Sequence, residues 1–324
     1  MTSYTIPQRM LDAAICAYSV QGEGIFNPDS LYLDPLDLDG AASVFDGGKY
    51  EIDAGFIATT KADPATGDKW VILSFRGTLS SFRWGNWASF LAFLDDWLQD
   101  DETKMVPMKV DGTFLGYVEK GFAVAIESIW PRIAADLDKV DWSSVAGIQI
   151  AGHSKGAAMT FLAAAMVKIK YPAARSINVH AYAAPLAGAP NFAQWYESQH
   201  LGVTATRYQR ICDIVPFVPP TASWNIFKNL PLTFHPEGIV LEAALKLLSL
   251  QVHGGYAEVG SLVALVTTDP SNSQMIMHAE EVLQQAITHA IYLGDGEKIA
   301  SAHSAKTSYW PALFPAAPAT APQT

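Results

Sequence analysis

The sequence predicts an α/β fold with a mostly parallel central sheet and helices on both faces. Three short apolar segments, 70–75, 145–150 and 177–182, have the composition of buried strands, and segments with helical spacing of apolar residues separate them. Strands that alternate with helices form parallel sheets, because each crossover helix returns the chain to the same edge. A chain of 324 residues, 50% of them hydrophobic, can bury the core of such a domain.

Further elements extend this pattern, and we interpret residues 1–309 as one domain that is followed by a tail. The tail, 310–324, is rich in proline and alanine and is expected to be extended and poorly ordered. Pro131 predicts a kink or break in the helix around it. The other predicted elements are helices at 7–18, 114–137, 157–170, 191–200, 238–250 and 278–293, and strands at 54–60 and 205–211.

The composition argues against several classes of function. A net charge of −11 disfavours a nucleic-acid partner, which requires a basic surface. Cys16 and Cys212 permit at most one disulfide, and the absence of a Cys-x-x-Cys pair disfavours a structural zinc site. The sequence shows no Sec-type signal and no apolar run of membrane-spanning length, so a cytoplasmic location or secretion by another route is expected.

A Gly-x-Ser-x-Gly sequence, residues 152–156, lies between a predicted strand and a predicted helix. In this context the serine, Ser154, is expected in a strained backbone conformation with its Oγ exposed. Gly152 and Gly156 are then required, because a Cβ at either position would collide with the neighbouring strand or helix. The free N–H groups of the helix N-terminus favour an anion at the same place. The motif therefore predicts a nucleophilic serine.

A serine hydroxyl needs a base within hydrogen-bond reach and an acid that orients the base. For this motif the expected chain order is serine, acid, histidine. Asp213 directly follows the strand at 205–211, at the edge where such sheets bind ligands, and is the predicted acid. The residues alone leave the base open among the histidines that follow, with His303 the preferred candidate. These histidines are His235, His253, His278, His289 and His303.

An oxyanion hole requires two preset hydrogen-bond donors near the serine Oγ. The first predicted donor is the backbone N–H of Lys155, the residue after the serine. The second is expected at the end of another strand. Thr78, which follows the strand at 70–75, offers both a backbone N–H and a hydroxyl. A turn capped by the threonine is the alternative interpretation of this segment.

Residues 79–97 combine several large apolar side chains in a partly helical stretch beside the predicted oxyanion loop. Such a segment suits a lid over the site or a surface that contacts lipid. An ordinary amphipathic helix packed in the core explains the same pattern equally well. The sequence therefore leaves two interpretations open here.

In their order along the chain, these segments resemble the class 3 lipase family, the fungal-lipase-like α/β-hydrolases. The resemblance covers roughly residues 55–310 and includes the oxyanion strand, the lid position, a helix start, the nucleophile elbow, a proline-rich loop and the acid loop. The matching segments are 71–78, 80–87, 116–122, 151–156, 184–192, 210–216 and 255–260.

The resemblance implies an α/β-hydrolase fold, with Thr78 in the oxyanion hole and Asp213 as the triad acid. It also implies that a histidine near the C-terminus is the base. The family's base precedes an aromatic residue by a few positions, which favours His303, ahead of Tyr309, over its rival His289.

The chain departs from the family pattern in several places, among them Glu119 where histidine is usual and a longer separation of Asp213 from His303. Lys155 stands where the family usually has an apolar residue, and because only its backbone N–H is needed, the chemistry is expected to survive. Its side chain is expected to point away from the pocket and to pair with an acid. The chain also lacks the signal and the disulfides of the secreted fungal members, which implies a bacterial branch.

The sequence therefore predicts a serine ester hydrolase, in the first place a triacylglycerol lipase or carboxylesterase that forms an acyl-enzyme on Ser154. Its partner is an ester or lipid substrate, met at a lipid–water interface in the case of a lipase, and the chemistry requires no metal or cofactor. A phospholipase A1 or a feruloyl-type esterase would use the same triad with a different pocket. A binding protein on a catalytically decayed hydrolase fold is the alternative from another class.

Overall fold

The computed structural model describes most of the chain, in several segments. The described residues are 4–21, 24–48, 53–78, 104–218, 255–265, 283, 285–287, 289–290, 298 and 301–314. The predicted lid at 79–97 and the predicted helix at 238–250 lie outside these residues, and so does most of the helix at 278–293. Among the residues that the structure describes, no helix is both long and apolar enough to cross a membrane.

Helices and strands alternate along the described segments, as the sequence predicts. The helices are α1 Ile6–Ala17, α2 Ser30–Leu33, α3 Lys120–Leu137, α4 Lys155–Lys170, α5 Pro190–Ser198 and α6 Trp310–Leu313. The strands are β1 Val20–Gln21, β2 Ile25–Phe26, β3 Ser43–Gly47, β4 Asp53–Thr59, β5 Trp70–Phe75, β6 Met105–Val110, β7 Thr113–Glu119, β8 Gly147–His153, β9 Ile177–Tyr182, β10 Ala205–Arg210 and β11 Ser261–Leu265. Short turns of 3₁₀ helix lie at Asp34–Leu36, Gly202–Thr204 and Val215–Phe217, and a π-helical turn, Ala305–Tyr309, leads into α6.

The central sheet has the strand order β11-β10-β9-β8-β5-β4-β3. Pairing is parallel from β11 to β5 and antiparallel from β5 through β4 to β3. β8 therefore lies between β5 and β9, with Gly152 opposite Phe75 and His153 opposite Tyr182. This register brings the carboxyl ends of three strands to one edge of the sheet, which is where ligands bind in open α/β folds.

Apolar side chains cover both faces of the sheet. Along β5, Val71 and Leu73 pack into the core that α3 and α4 complete, whereas Ile72 packs into the core beneath α1. All three are at most 1% exposed. Burying an aliphatic side chain of this size stabilises the fold by about 1.5 to 3 kcal/mol, so the two cores hold the carboxyl edge of the sheet firmly in place.

The prediction that residues 114–137 form a helix from their first residue was wrong. The first part of this predicted helix is strand β7, which pairs with β6 in an antiparallel hairpin. Asp111 and Gly112, both with positive φ, form the two-residue turn that such hairpins favour. Helix α3 also continues through Pro131 without a break. Its neighbours Ile129 and Ile133 are fully buried, so tertiary packing compensates for the hydrogen bond that proline cannot donate.

The C-terminal prediction also needs correction, because residues 310–313 form helix α6 instead of an extended tail. Ala312 is buried there, and the indole N–H of Trp310 donates to Oδ1 of Asp12 at 2.9 Å. The rest of the predicted tail, 315–324, lies outside the described residues. The two edge strands of the sheet, β3 and β11, were not predicted from the sequence.

Asp12, a residue of α1, has a buried carboxyl group that contacts Trp310 of α6. This group makes the stability of the fold depend on pH. Burial raises its pKa from 3.8 to about 7, against the opposing effect of the Trp310 hydrogen bond. Between these two values the unfolded chain has lost the proton while the folded chain still holds it. The native state therefore becomes less stable as the pH rises from about 4 to about 7.

We expect Asp12→Asn to raise the Tm above pH 7 and to leave it nearly unchanged near pH 4. Asparagine keeps an oxygen for Trp310 but cannot ionise. A difference of about 3 between the folded and unfolded pKa values corresponds to at most about 4 kcal/mol. Thermal unfolding of both proteins at pH 4 and pH 8 measures the effect. A variant that melts below the wild type at pH 8 would contradict the assignment.

Candidate active site

The Gly-x-Ser-x-Gly segment forms a sharp turn from β8 into α4. Ser154, the residue between them, has φ of 59° and ψ of −129°, a strained conformation for a residue with a side chain. A Cβ at Gly152 would lie 2.4 Å from the carbonyl oxygen of Gly156, and one at Gly156 would lie 2.6 Å from that of Phe75. The predicted need for both glycines is confirmed. Ser154 itself is buried, at 4% exposure, in contrast to the exposed Oγ that the motif predicts.

Ser154, His303 and Asp213 form one continuous hydrogen-bonded chain. Nε2 of His303 lies 2.8 Å from Oγ of Ser154. Nδ1 of the same ring lies 3.0 Å and 2.9 Å from the two carboxylate oxygens of Asp213. All three side chains are buried, so water competes little for these hydrogen bonds. The structure thus brings together the serine, the acid and the preferred histidine of the sequence prediction.

Besides the His303 ring, two groups donate hydrogen bonds to the Asp213 carboxylate. Oδ1 of Asp213 accepts from the backbone N–H of Val215 at 3.0 Å, and Oδ2 accepts from the Tyr309 hydroxyl at 2.7 Å. The Tyr309 oxygen in turn accepts from the backbone N–H of Arg210 at 3.0 Å. Burial and the neighbouring Asp213 charge raise the pKa of Tyr309, so the phenol keeps the proton that it donates. These contacts fix the carboxylate plane against the His303 ring.

The backbone of His303 is held by a second histidine, His153, which directly precedes Ser154. Nε2 of His153 lies 2.8 Å from the carbonyl oxygen of His303, and its Nδ1 lies 2.8 Å from the hydroxyl of Tyr18. A carbonyl oxygen can only accept, so Nε2 carries the ring proton and Nδ1 accepts from the tyrosine. Burial, with the charge of His303, lowers the pKa of His153 well below its usual range, which keeps the ring neutral.

The contacts of His153 with His303 and Tyr18 were not predicted from the sequence. His153 adjoins Ser154 in the chain, and no sequence signal indicates that its ring holds the backbone of His303. Tyr18 lies 135 positions away along the chain, at the end of α1. No local pattern of residues could indicate that this pair forms.

The predicted oxyanion residues lie on the two segments that meet at the turn. Lys155 begins α4, so its backbone N–H is among the first four of the helix, which have no partner within it. Thr78 follows β5, and the backbone just before it runs along the turn. A Cβ at Gly77 would lie 2.8 Å from the carbonyl oxygen of His153. Arg76 and Gly77 therefore pass close to the turn, beside Gly156 and His153 respectively.

The side chain of Lys155 pairs with a carboxylate, as the sequence analysis expected. Its Nζ lies 2.8 Å from Oδ1 of Asp53, and the side chains are 23% and 5% exposed. The identity of the partner was not predicted, because Asp53 belongs to β4 and no local signal connects that strand to the turn.

Of the rival histidines, the structure describes only His289. His289 is exposed in a helical segment, and His235, His253 and His278 are outside the described residues. His180 is buried, and its Nε2 lies 2.9 Å from Oε1 of Gln149. In the described part of the chain, no group of His, Cys, Asp and Glu residues has the arrangement of a metal site. Cys16 and Cys212 are both buried.

Comparison with known proteins bears on the same segments. The model of the lipase (class 3) family matches residues 72–223. This stretch includes Thr78, the turn at Ser154 and Asp213, and the match supports the class 3 lipase family. The chain is an ester hydrolase of the lipase type. The bacterial branch of the family stays a prediction.

Solved lipase structures share the fold of this ester hydrolase. The native lipase–propeptide complex of Rhizomucor miehei is 16% identical with a TM-score of 0.57, over 93% of this chain and 81% of that chain. The Lip2 lipase of Yarrowia lipolytica is 16% identical with a TM-score of 0.51, over 81% and 78%. A triacylglycerol lipase described as having a serine protease triad is 18% identical with a TM-score of 0.51, over 82% and 80%. No curated protein sequence matches the chain.

These likenesses show the fold, and the predicted α/β-hydrolase fold is confirmed. A mostly parallel sheet with helices on both faces, and a sharp turn after its central strand, are common features of that fold. At identities below one fifth, the likenesses carry no statement about the substrate of this chain.

Proposed function

We propose that this lipase-type enzyme cleaves acylglycerols or related carboxylic esters through an acyl-enzyme on Ser154, with His303 as the base and Asp213 as the orienting acid. One observation carries the proposal. The His303 ring lies 2.8 Å from the Ser154 Oγ on one side and 2.9 Å from the Asp213 carboxylate on the other. A proton can therefore move from Oγ to Nε2 without rearrangement of the ring.

In acylation, Oγ of Ser154 attacks the ester carbonyl carbon while Nε2 of His303 takes the hydroxyl proton. The carbonyl oxygen becomes an oxyanion, which accepts hydrogen bonds from the backbone N–H of Lys155 and from Thr78. As the tetrahedral intermediate collapses, the bond to the alcohol oxygen breaks and His303 returns the proton to that oxygen. In deacylation a water molecule attacks the acyl carbon while Nε2 of His303 takes one of its protons. The bond from that carbon to Oγ of Ser154 then breaks, His303 returns the proton to Oγ, and the carboxylic acid leaves.

The surroundings of the triad support these roles. Asp213 carries a negative charge at the Nδ1 edge of His303 and stabilises the imidazolium that forms during each step. Tyr309 and Val215 hold the carboxylate in that orientation. His153 holds the backbone of His303, so the base keeps its position when it becomes charged. An uninterrupted arrangement of this kind favours an active enzyme over a decayed hydrolase fold that only binds.

The ester class can be tested with a series of p-nitrophenyl esters of increasing acyl length and with emulsified triacylglycerol. Each substrate is measured below and above its solubility limit. A lipase is expected to become faster when the substrate forms an interface, whereas a carboxylesterase prefers short, dissolved esters. Failure of the wild-type protein to hydrolyse any ester in the series would contradict the proposal.

A further inference from the structure

Asp53 neighbours both segments that carry the proposed oxyanion donors, because its strand pairs with β5 and its side chain reaches Lys155. It begins β4 and is 5% exposed. Its Oδ1 lies 2.8 Å from Nζ of Lys155, the residue whose backbone N–H is one donor. Its Oδ2 accepts a longer hydrogen bond, at 3.4 Å, from the hydroxyl of Ser128 in α3. The carboxylate therefore joins the start of α4 to the edge of β4.

The same strand is attached to the segment that leads to Thr78. β4 pairs with β5 in the sheet, and the backbone N–H of Arg76 donates to the carbonyl oxygen of Ala54 at 2.8 Å. Burial lowers the pKa of the Arg76 guanidinium, and the nearby negative charges, that of Asp53 included, oppose this shift. Asp53 is thus adjacent to the backbone on which one oxyanion donor lies and is paired with the residue that carries the other.

Lys155 needs such a partner because of its place in the helix. The N-terminus of an α-helix carries a partial positive charge, so a lysine in its first turn is repelled. A side chain that is only 23% exposed cannot rely on water alone to screen that repulsion. The Asp53 carboxylate, 2.8 Å from Nζ of Lys155, offsets the charge of the lysine and the partial positive charge of the helix N-terminus.

We propose that Asp53 is a positioning residue for the oxyanion hole, which it aligns through the ion pair with Lys155. The inference rests on the proposed function, because it concerns the geometry of that same site. The ion pair fixes the start of α4 against β4 and β5, and so sets the distance between the Lys155 N–H and Thr78. Misplacement of an oxyanion donor weakens binding of the transition state and leaves substrate binding largely intact.

The test compares Asp53→Asn and Lys155→Met, which remove one charge each at similar side-chain volume, with Lys155→Arg, which keeps the ion pair. A matched control lies at the other end of the same helix, where Nζ of Lys170 is 2.7 Å from Oδ1 of Asp111. Lys170→Met and Asp111→Asn remove the same chemistry far from the turn.

We expect kcat for p-nitrophenyl butyrate, per site titrated with a fluorophosphonate, to fall on the order of tenfold to a hundredfold in Asp53→Asn and Lys155→Met. KM is expected to change less than about threefold, because only binding of the transition state weakens. The inhibition constant of a boronic acid, which forms a tetrahedral adduct with the serine, should rise by the same factor as kcat falls. Lys155→Arg should lose less kcat than Lys155→Met because it keeps the ion pair, and both controls at Lys170 and Asp111 should match the wild type.

The inference is overturned if the Asp53 and Lys155 variants keep wild-type kcat per titrated site, even when their Tm falls. It is also overturned if KM alone changes. If Asp53→Asn does not fold, Lys155→Met decides, since its side chain is partly exposed. An active wild type whose Asp53→Asn variant behaves like Asp111→Asn contradicts this inference alone, whereas a wild type that hydrolyses no ester contradicts the proposed function as well.

Discussion

Replacing Ser154 with alanine is expected to lower kcat for ester hydrolysis by on the order of 10⁵- to 10⁶-fold. The change removes one oxygen atom, the nucleophile in the proposed mechanism, and leaves the backbone of the turn in place. The hydrogen bond to Nε2 of His303 is lost, but His303 keeps both contacts with Asp213. Any residual rate would come from the oxyanion donors and from substrate binding alone.

The measurement is the steady-state rate with p-nitrophenyl butyrate, together with the Tm of each protein. Ser143→Ala is the control, because Ser143 lies in a surface turn where its hydroxyl donates to Asp141. It should keep wild-type activity. A Ser154→Ala variant that retains more than about one hundredth of the wild-type rate would show that another residue is the nucleophile.

His303→Ala is expected to lower kcat by a factor comparable to that of Ser154→Ala, because the two residues act as one unit. His289→Ala is the matched control from the sequence analysis, since that histidine was the rival base. His289 is exposed in the structure, whereas His303 is buried against Ser154 and Asp213. Its replacement should leave kcat unchanged.

The two histidine variants are compared in the same ester assay, in parallel with the wild type. A large loss in His289→Ala, with activity retained in His303→Ala, would reverse the assignment of the base. Equal losses in both would mean that the two variants act through folding, which the Tm of each protein reveals. The structure predicts a loss in His303→Ala alone.

The serine and the acid could be predicted from the sequence because their signals are local. Ser154 lies in a five-residue motif between a strand and a helix, and Asp213 follows a strand by a few positions. The base had no such signal, because His303 lies 90 positions after the acid and reaches it only through the fold. The resemblance to a family, through the aromatic Tyr309, favoured it over His289.

The side chains that support the site could not be predicted, since each contact joins distant parts of the chain. Tyr18 comes from the end of α1 and His153 from β8, while Asp53 reaches Lys155 from another strand. The error at 114–119 has a different cause. The apolar residues there fit a helix as well as a strand, and the Asp-Gly turn at 111–112 is the sequence signal that would have indicated the hairpin.

The central claim is that Ser154 is a nucleophile activated by His303, and covalent labelling tests it most directly. Wild-type protein and the Ser154→Ala and His303→Ala variants are treated with a fluorophosphonate, and the modified peptide is identified by mass spectrometry. We predict one adduct on Ser154 in the wild type, none in Ser154→Ala and greatly slowed labelling in His303→Ala. Labelling of another residue, or equal labelling of wild type and Ser154→Ala, would contradict the account.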